Sequence, residues 1–214
     1  MNSVLKLILS LIIAFEISFI NNLYVNIILI IIAVLLLLFK FYAFKAIFKL
    51  FLIGLIPAIG ILISQLLFGQ RGPLFAYTLF TRIYAYIFIG FLTTKSTNIN
   101  DLIYSLQQNF KVPSKFCYGI LAAFNLQREV KHEIKIIKNN SAMRGINISW
   151  YSPSLYFKAI LTSLYWADNL SQAMESQGYK EDSYRTYYYQ SIISNNEKIL
   201  FVLIIISFNL LFFI

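Results

Sequence analysis

LYVNIILIIIAVLLLLF, residues 23–39, runs its whole length without a charge. A helix needs roughly 20 mostly apolar residues to cross about 30 Å of hydrocarbon, so the neighbouring sequence decides whether this stretch is a lone core helix or one of a set. Upstream, residues 4–20 (VLKLILSLIIAFEISFI) read as a first span, with Asn21 and Asn22 as the turn. Downstream, Lys40, Lys45 and Lys49 punctuate a short aromatic connector. A third span follows over about 47–68, which Pro57 and Gly60 are expected to kink. GQRGP, residues 69–73, is a turn, and a fourth span covers about 74–94. The last apolar run, residues 199–214, is a short fifth span. Glu16 and Phe19 stand where a signal-peptide cleavage site needs small residues, so the first span is expected to be retained.

Composition agrees. The 214 residues are 59% hydrophobic and 13% charged, with mean hydropathy +0.70; soluble domains average about 45–50% apolar and about 25% charged. The expected fold class is an all-α integral membrane protein with about five transmembrane helices and a cytoplasmic insert of long amphipathic helices. Its parts are residues 1–94 with four spans, 95–198 as the polar insert, and 199–214 as the C-terminal span.

Orientation follows from Lys and Arg. With the N-terminus inside, sixteen of the eighteen basic residues lie on the cytoplasmic side or at its edge, leaving Arg71 outside and Arg82 within the fourth span. The net charge of +9 is then explained by topology and anionic headgroups, with no nucleic acid as partner. Glu16 and Arg82 are the intramembrane charges, and such residues usually face a bundle interior. Glu16 is expected to reach water near the outer interface, and Arg82 to snorkel or to pair with Glu16.

The insert parses into three helices. Thr97 or Asn98 caps a first one ending near Phe110, and Pro113 opens a second, in its first turn, that runs to about Arg144. Ser152 and Pro153 begin the third, on which Tyr156, Ile160, Leu164, Ala167, Leu170 and Met174 form an apolar stripe at helical spacing. SAMRGI (141–146) and QAMESQG (172–178) are the ends of these two long helices, each closed by a glycine. Glycine after a helix and a cation in its last turn are common, so either ending alone says little.

Several chemistries are excluded. No Gly is followed by Lys, so there is no P-loop for ATP, and neither HExxH nor GxSxG occurs. The one cysteine, Cys117, rules out an internal disulfide and reads as a small core residue; the one histidine, His132, sits on a charged helical face. Glu129 and Glu133 share a face with Lys131 and Lys135 around them, a solvated surface rather than an acid–base pair. No enzyme is expected.

The order of parts resembles the transmembrane (T) component of energy-coupling factor transporters, a class of ABC importers for vitamins and metal ions. NSVLKLILS (2–10) is similar to the family's Pro/Ser-x-x-Lys-Leu opening, and LTTKSTNINDLIYSL (92–106) to its Thr-Thr run into the first cytoplasmic helix. The helix ending in AMRG resembles its Ala-Arg-Gly signature; YWADNLSQAMESQGY (165–179) resembles Ala-Asp-x-Leu-x-x-Ala-Met-Glu-Ala-Arg-Gly-Tyr. The resemblance spans essentially the whole chain. It implies that the two helix ends, Ala142, Met143, Arg144 and Gly145 on one and Ser176, Gln177 and Gly178 on the other, dock into two ABC-type ATPase subunits. It also implies that the Tyr156–Met174 stripe is a platform for a small substrate-binding membrane subunit. The chain itself would bind no cofactor; ATP and Mg would sit on the partners. Met143 stands for alanine and Gln177 for arginine, and the loss of a guanidinium weakens one docking point. The resemblance thus implies a subunit of the bacterial cytoplasmic membrane that relays ATPase motion for vitamin or metal-ion uptake, with cobalt, nickel, a thiamine precursor, riboflavin or another vitamin equally compatible. The competing reading is a membrane scaffold or regulator that recruits a peripheral cytoplasmic protein through the same helices. A substrate-binding subunit fits poorly with so large a polar insert, and an intramembrane enzyme lacks paired polar groups.

Overall fold

Alanines and a glycine join large apolar residues at the helix contacts of this chain, while many other large apolar side chains point outward. The computed structural model describes residues 1–19, 21–41, 44–146, 148–180, 183 and 186–210. Among these the regular structure is helical: α1 (Ser3–Phe19), α2 (Leu23–Phe41), α3 (Phe44–Phe68), α4 (Pro73–Ser96), α5 (Ile99–Asn109), α6 (Ser114–Met143), α7 (Pro153–Ser176) and α8 (Asn195–Leu210). They divide into two units. One comprises Met1–Ser105 with Ser191–Ile214, the other Leu106–Gln190, and α5 crosses the boundary.

In the first unit α4 packs against α1, α2 and α3, while α8 packs on α1. Small side chains are among those at the contacts: Ala33, Ala58, Ala76 and Ala85 are all buried. Gly54 lets α3 approach α4 closely. A Cβ there would stand 2.8 Å from the Ile87 side chain and 3.0 Å from the Tyr84 ring. Tyr84 stacks on Phe51 at 5.3 Å between ring centroids. Ile13, Ile17, Val25, Leu29, Ile89 and Phe208 form one apolar cluster; Ala33, Leu37, Ala58, Tyr84 and Phe88 form another.

Outward faces carry the bulk. In α3, Ile56 is 79% exposed and Phe68 83%. Its most apolar window has a hydropathy of 2.5, and only 11% of it is buried. A core helix of a soluble protein is mostly buried; a surface of this kind is stable only where the solvent is itself apolar, and small residues at the helix contacts are what lipid-embedded packing favours. Among the described residues α3 and α4 are long and apolar enough to cross a bilayer; the apolar stretch of α2, Leu23–Phe39, is shorter. The chain is an all-α membrane protein.

The polar groups of this unit find partners across helices. Asn26 of α2, fully buried, donates to the Thr78 carbonyl of α4 at 3.1 Å and to Thr81 Oγ1 at 3.3 Å. Arg82 donates to Asn21 Oδ1 at 3.1 Å, and Glu16 accepts from Asn209 Nδ2 at 3.3 Å. The Arg82–Glu16 pairing weighed from sequence does not form, because a neutral amide lies closer to each. At the start of α1, Lys6 donates to the Ser96 carbonyl at 2.6 Å. The Met1 amino group lies 2.9 Å from Glu197, whose carboxyl is held below its ordinary value mainly by that hydrogen bond.

Boundaries shift by a few residues. α3 continues through Pro57, which does not end it. Asn98 directly precedes α5 and its amide reaches Asp101 at 3.2 Å, whereas Thr97 closes α4. Pro113 is the N-cap of α6, one residue outside the expected first turn, since its ψ of 136 is extended. α8 starts four residues before the expected Ile199, and the end of that span, 211–214, falls outside the described residues.

Candidate functional site

α6 and α7 end in the same motif, with the same two closing bonds after the C-cap. Arg144 is the C-cap of α6, and Gly145 follows at φ 73. The Ile146 N–H reaches back to the Ser141 carbonyl and the Gly145 N–H to that of Ala142, both at 3.0 Å. Gln177 is the C-cap of α7, and Gly178 follows at φ 83. The Tyr179 N–H bonds the Met174 carbonyl and the Gly178 N–H that of Glu175, both at 2.9 Å. Each is a Schellman termination, which satisfies the last carbonyls internally and needs a left-handed residue that glycine supplies without strain. The backbone is thus closed while the side chains stay available.

They are available. Ala142, Met143, Arg144 and Gly145 are exposed, Met143 at 85%, and so are Ser176, Gln177 and Gly178. Arg144 and Gln177 therefore occupy equivalent positions on two matched, solvent-facing helix ends.

The pair is antiparallel, so these ends lie far apart. Tyr179, just past the end of α7, packs edge-on against Tyr118 near the start of α6, with ring centroids 5.9 Å apart, and its hydroxyl meets Ser114 Oγ at 3.3 Å. At the opposite end Arg144 and Lys158 line one open cavity of about 170 Å³ with Ile137, Asn140 and Ser141. From Tyr118 to Ser141 the α6 axis runs roughly 35 Å at 1.5 Å per residue.

The stripe on α7 is divided in use. Tyr156, Ile160 and Leu164 are exposed, joined by Phe157, Leu161 and Tyr165 on the neighbouring face. Ala167, Leu170 and Met174 line an apolar groove of about 380 Å³ against Tyr118, Ala122 and Leu126 of α6. The residues α7 does bury are Leu155 and Ala159, four apart, which the stripe omitted. Ser152 is the N-cap, but its hydroxyl pairs with Ser154 at 2.9 Å instead of capping a backbone amide. Cys117 is buried, which pushes its thiol up and away from reactivity. His132 is exposed. Among the described residues no group of three or more His, Cys, Asp or Glu is placed to hold a metal ion.

Fold and site define a helical membrane protein that presents two matched, exposed helix ends. The sequence matches the cobalt transport protein family (CbiQ) over residues 1–188, and the chain belongs to that family, the transmembrane components of energy-coupling factor transporters. It is a membrane component of a transport system, of a generally non-catalytic family that typically works within ABC transporter complexes. No curated protein matches the sequence.

Proposed function

We propose that the chain is the coupling subunit of an ABC-type importer: a five-span protein with its N-terminus inside, whose α5–α7 region projects into the cytoplasm. The terminations at Arg144 and Gln177 engage two ABC-type ATPase subunits, one at each end of the antiparallel pair. ATP and Mg bind those subunits. ATP-driven closure of the ATPases would pull the two ends towards each other, and helices of this length, about 35–45 Å, are long enough to transmit such a movement as rigid bodies. The exposed apolar face of α7 from Tyr156 to Leu164 is the platform for a small substrate-binding membrane subunit, which carries the specificity. The family description names cobalt, so a divalent metal ion is the first substrate to test.

One observation carries this reading. Two helices of different sequence close with the same pair of Schellman hydrogen bonds and leave their C-cap side chains free in solvent. A structural cap needs no such exposure. The test is affinity capture of the tagged chain from detergent-solubilised native membranes, with the bound proteins identified by mass spectrometry. Two ABC ATPase subunits and a small hydrophobic protein are expected. Recovery of a peripheral protein without any ATPase, under conditions that keep known complexes intact, would instead favour a scaffold.

A further inference from the structure

Between Glu16 and Asp101 the chain carries no acidic residue, yet Lys45 and Lys49 stand in the first two turns of α3. Both are exposed, and a spacing of four puts them on one face of the helix. The acidic residues of the first unit are Glu16, Asp101 and Glu197. Each is engaged elsewhere, by Asn209, by Asn98 and by the Met1 amino group. Like charges one turn apart cost stability, and this unit has no acidic side chain to spare for them.

The ridge that carries the lysines continues as bare hydrocarbon. Leu52, Ile53 and Ile56 follow them at steps of three and four residues, all exposed, with Phe44 and Phe48 exposed beside the pair. One leaflet of hydrocarbon, about 15 Å, covers α3 from Lys49 to about Ile59 at 1.5 Å per residue. Ile47 and Leu50 of α3 and Phe91 and Leu92 of α4 pack on one cluster, so Lys95 closes α4 at the same end. Its ammonium sits 5.9 Å over the Phe91 ring and adds to the positive field. The opposite end of the α3–α4 pair offers Arg71, which lies 5.1 Å over the Phe75 ring. An acidic protein would meet the lysines from water and leave the ridge bare. A lipid supplies an anion joined to hydrocarbon long enough to run down it.

We infer that Lys45 and Lys49 bind the phosphate of an anionic phospholipid whose acyl chains lie along Leu52, Ile53 and Ile56. The lipid comes from the surrounding bilayer and is held at this one place on α3. The inference stands apart from the coupling reading and holds whether or not the chain engages ATPases.

The experiment takes the full chain, purified in non-ionic detergent, and measures lipid retention by native mass spectrometry. The probes are phosphatidylglycerol and phosphatidylcholine with the same acyl chains. The wild-type chain should prefer phosphatidylglycerol by about thirtyfold, the scale of two lysines at an anionic headgroup. Phosphatidylglycerol should also raise its thermal midpoint more than phosphatidylcholine does. Lys45→Gln or Lys49→Gln alone should weaken the preference about fivefold. The two together should abolish it while leaving phosphatidylcholine retention as in the wild type, which shows that the chain has folded. Lys45→Arg with Lys49→Arg should keep the preference, and so should Arg71→Gln at the other end. Equal retention of the two lipids by the wild type would overturn the inference, and that comparison needs no variant. A preference that survives both glutamines, or falls as far in Arg71→Gln, would belong to diffuse charge and overturn it as well. If the glutamine pair kept phosphatidylglycerol but lost an acidic protein that copurifies with the wild-type chain, the occupant would be a protein and the lipid assignment would fall.

Discussion

Gly145 and Gly178 hold left-handed backbones with open space where a Cβ would stand, so an alanine at either costs backbone strain alone. That strain is about 1–2 kcal/mol, and Gly145→Ala should lower the thermal midpoint of the detergent-purified protein slightly while fraying the end that holds Arg144. Gly145→Asn should be milder, since asparagine tolerates this conformation. Asn26→Ala removes a buried interhelical bond to α4 and should cost about 1 kcal/mol, within the range of such bonds in membranes. An intact midpoint in Asn26→Ala would mean that the bond adds nothing. The two glycine endings were legible in the sequence because a helix stop is written locally, in the glycine itself. Lys158 was not. It meets Arg144 only after the chain reverses between α6 and α7, and neither periodicity nor spacing encodes the register of that pairing.

Gly54 and Gly60 lie on one helix and predict opposite behaviour. Gly54 faces α4 with no room for a side chain, so Gly54→Leu should destabilise the α3–α4 contact by about 1–3 kcal/mol. Gly60 has nothing within 4 Å, and Gly60→Ala should gain roughly 0.5–1 kcal/mol of helix propensity. Unfolding in mixed micelles compares the two directly, and equal effects would contradict the packing described. Hydrophobic runs made α1 to α4 readable as helices to within a few residues. What sequence could not supply was which helix is central: α4 earns that place through Ala76, Ala85 and Tyr84, residues unremarkable until three neighbours close on them. Likewise α7 buries Leu155 and Ala159 rather than its longer stripe, because burial depends on the crossing with a neighbour and not on apolar count.

For the whole molecule, the coupling reading requires that the turn at 69–72 and the α6–α7 region lie on opposite sides of the membrane. In a Cys117→Ser background, Gln70→Cys should react with a membrane-impermeant maleimide in intact cells, and Asn139→Cys only after permeabilisation. Labelling of both in intact cells would reverse the topology. The central claim is that exposed C-cap side chains transmit work from ATPases to the membrane. Its most direct test is ATP-driven uptake of cobalt into vesicles reconstituted with the complete complex, comparing the wild-type chain with Arg144→Ala. Loss of one charge-assisted contact at a docking point should lower uptake by about tenfold or more, while the variant inserts and purifies as the wild type does. Undiminished uptake by Arg144→Ala would show that the α6 ending is only a helix stop, and the coupling role assigned to it would fall.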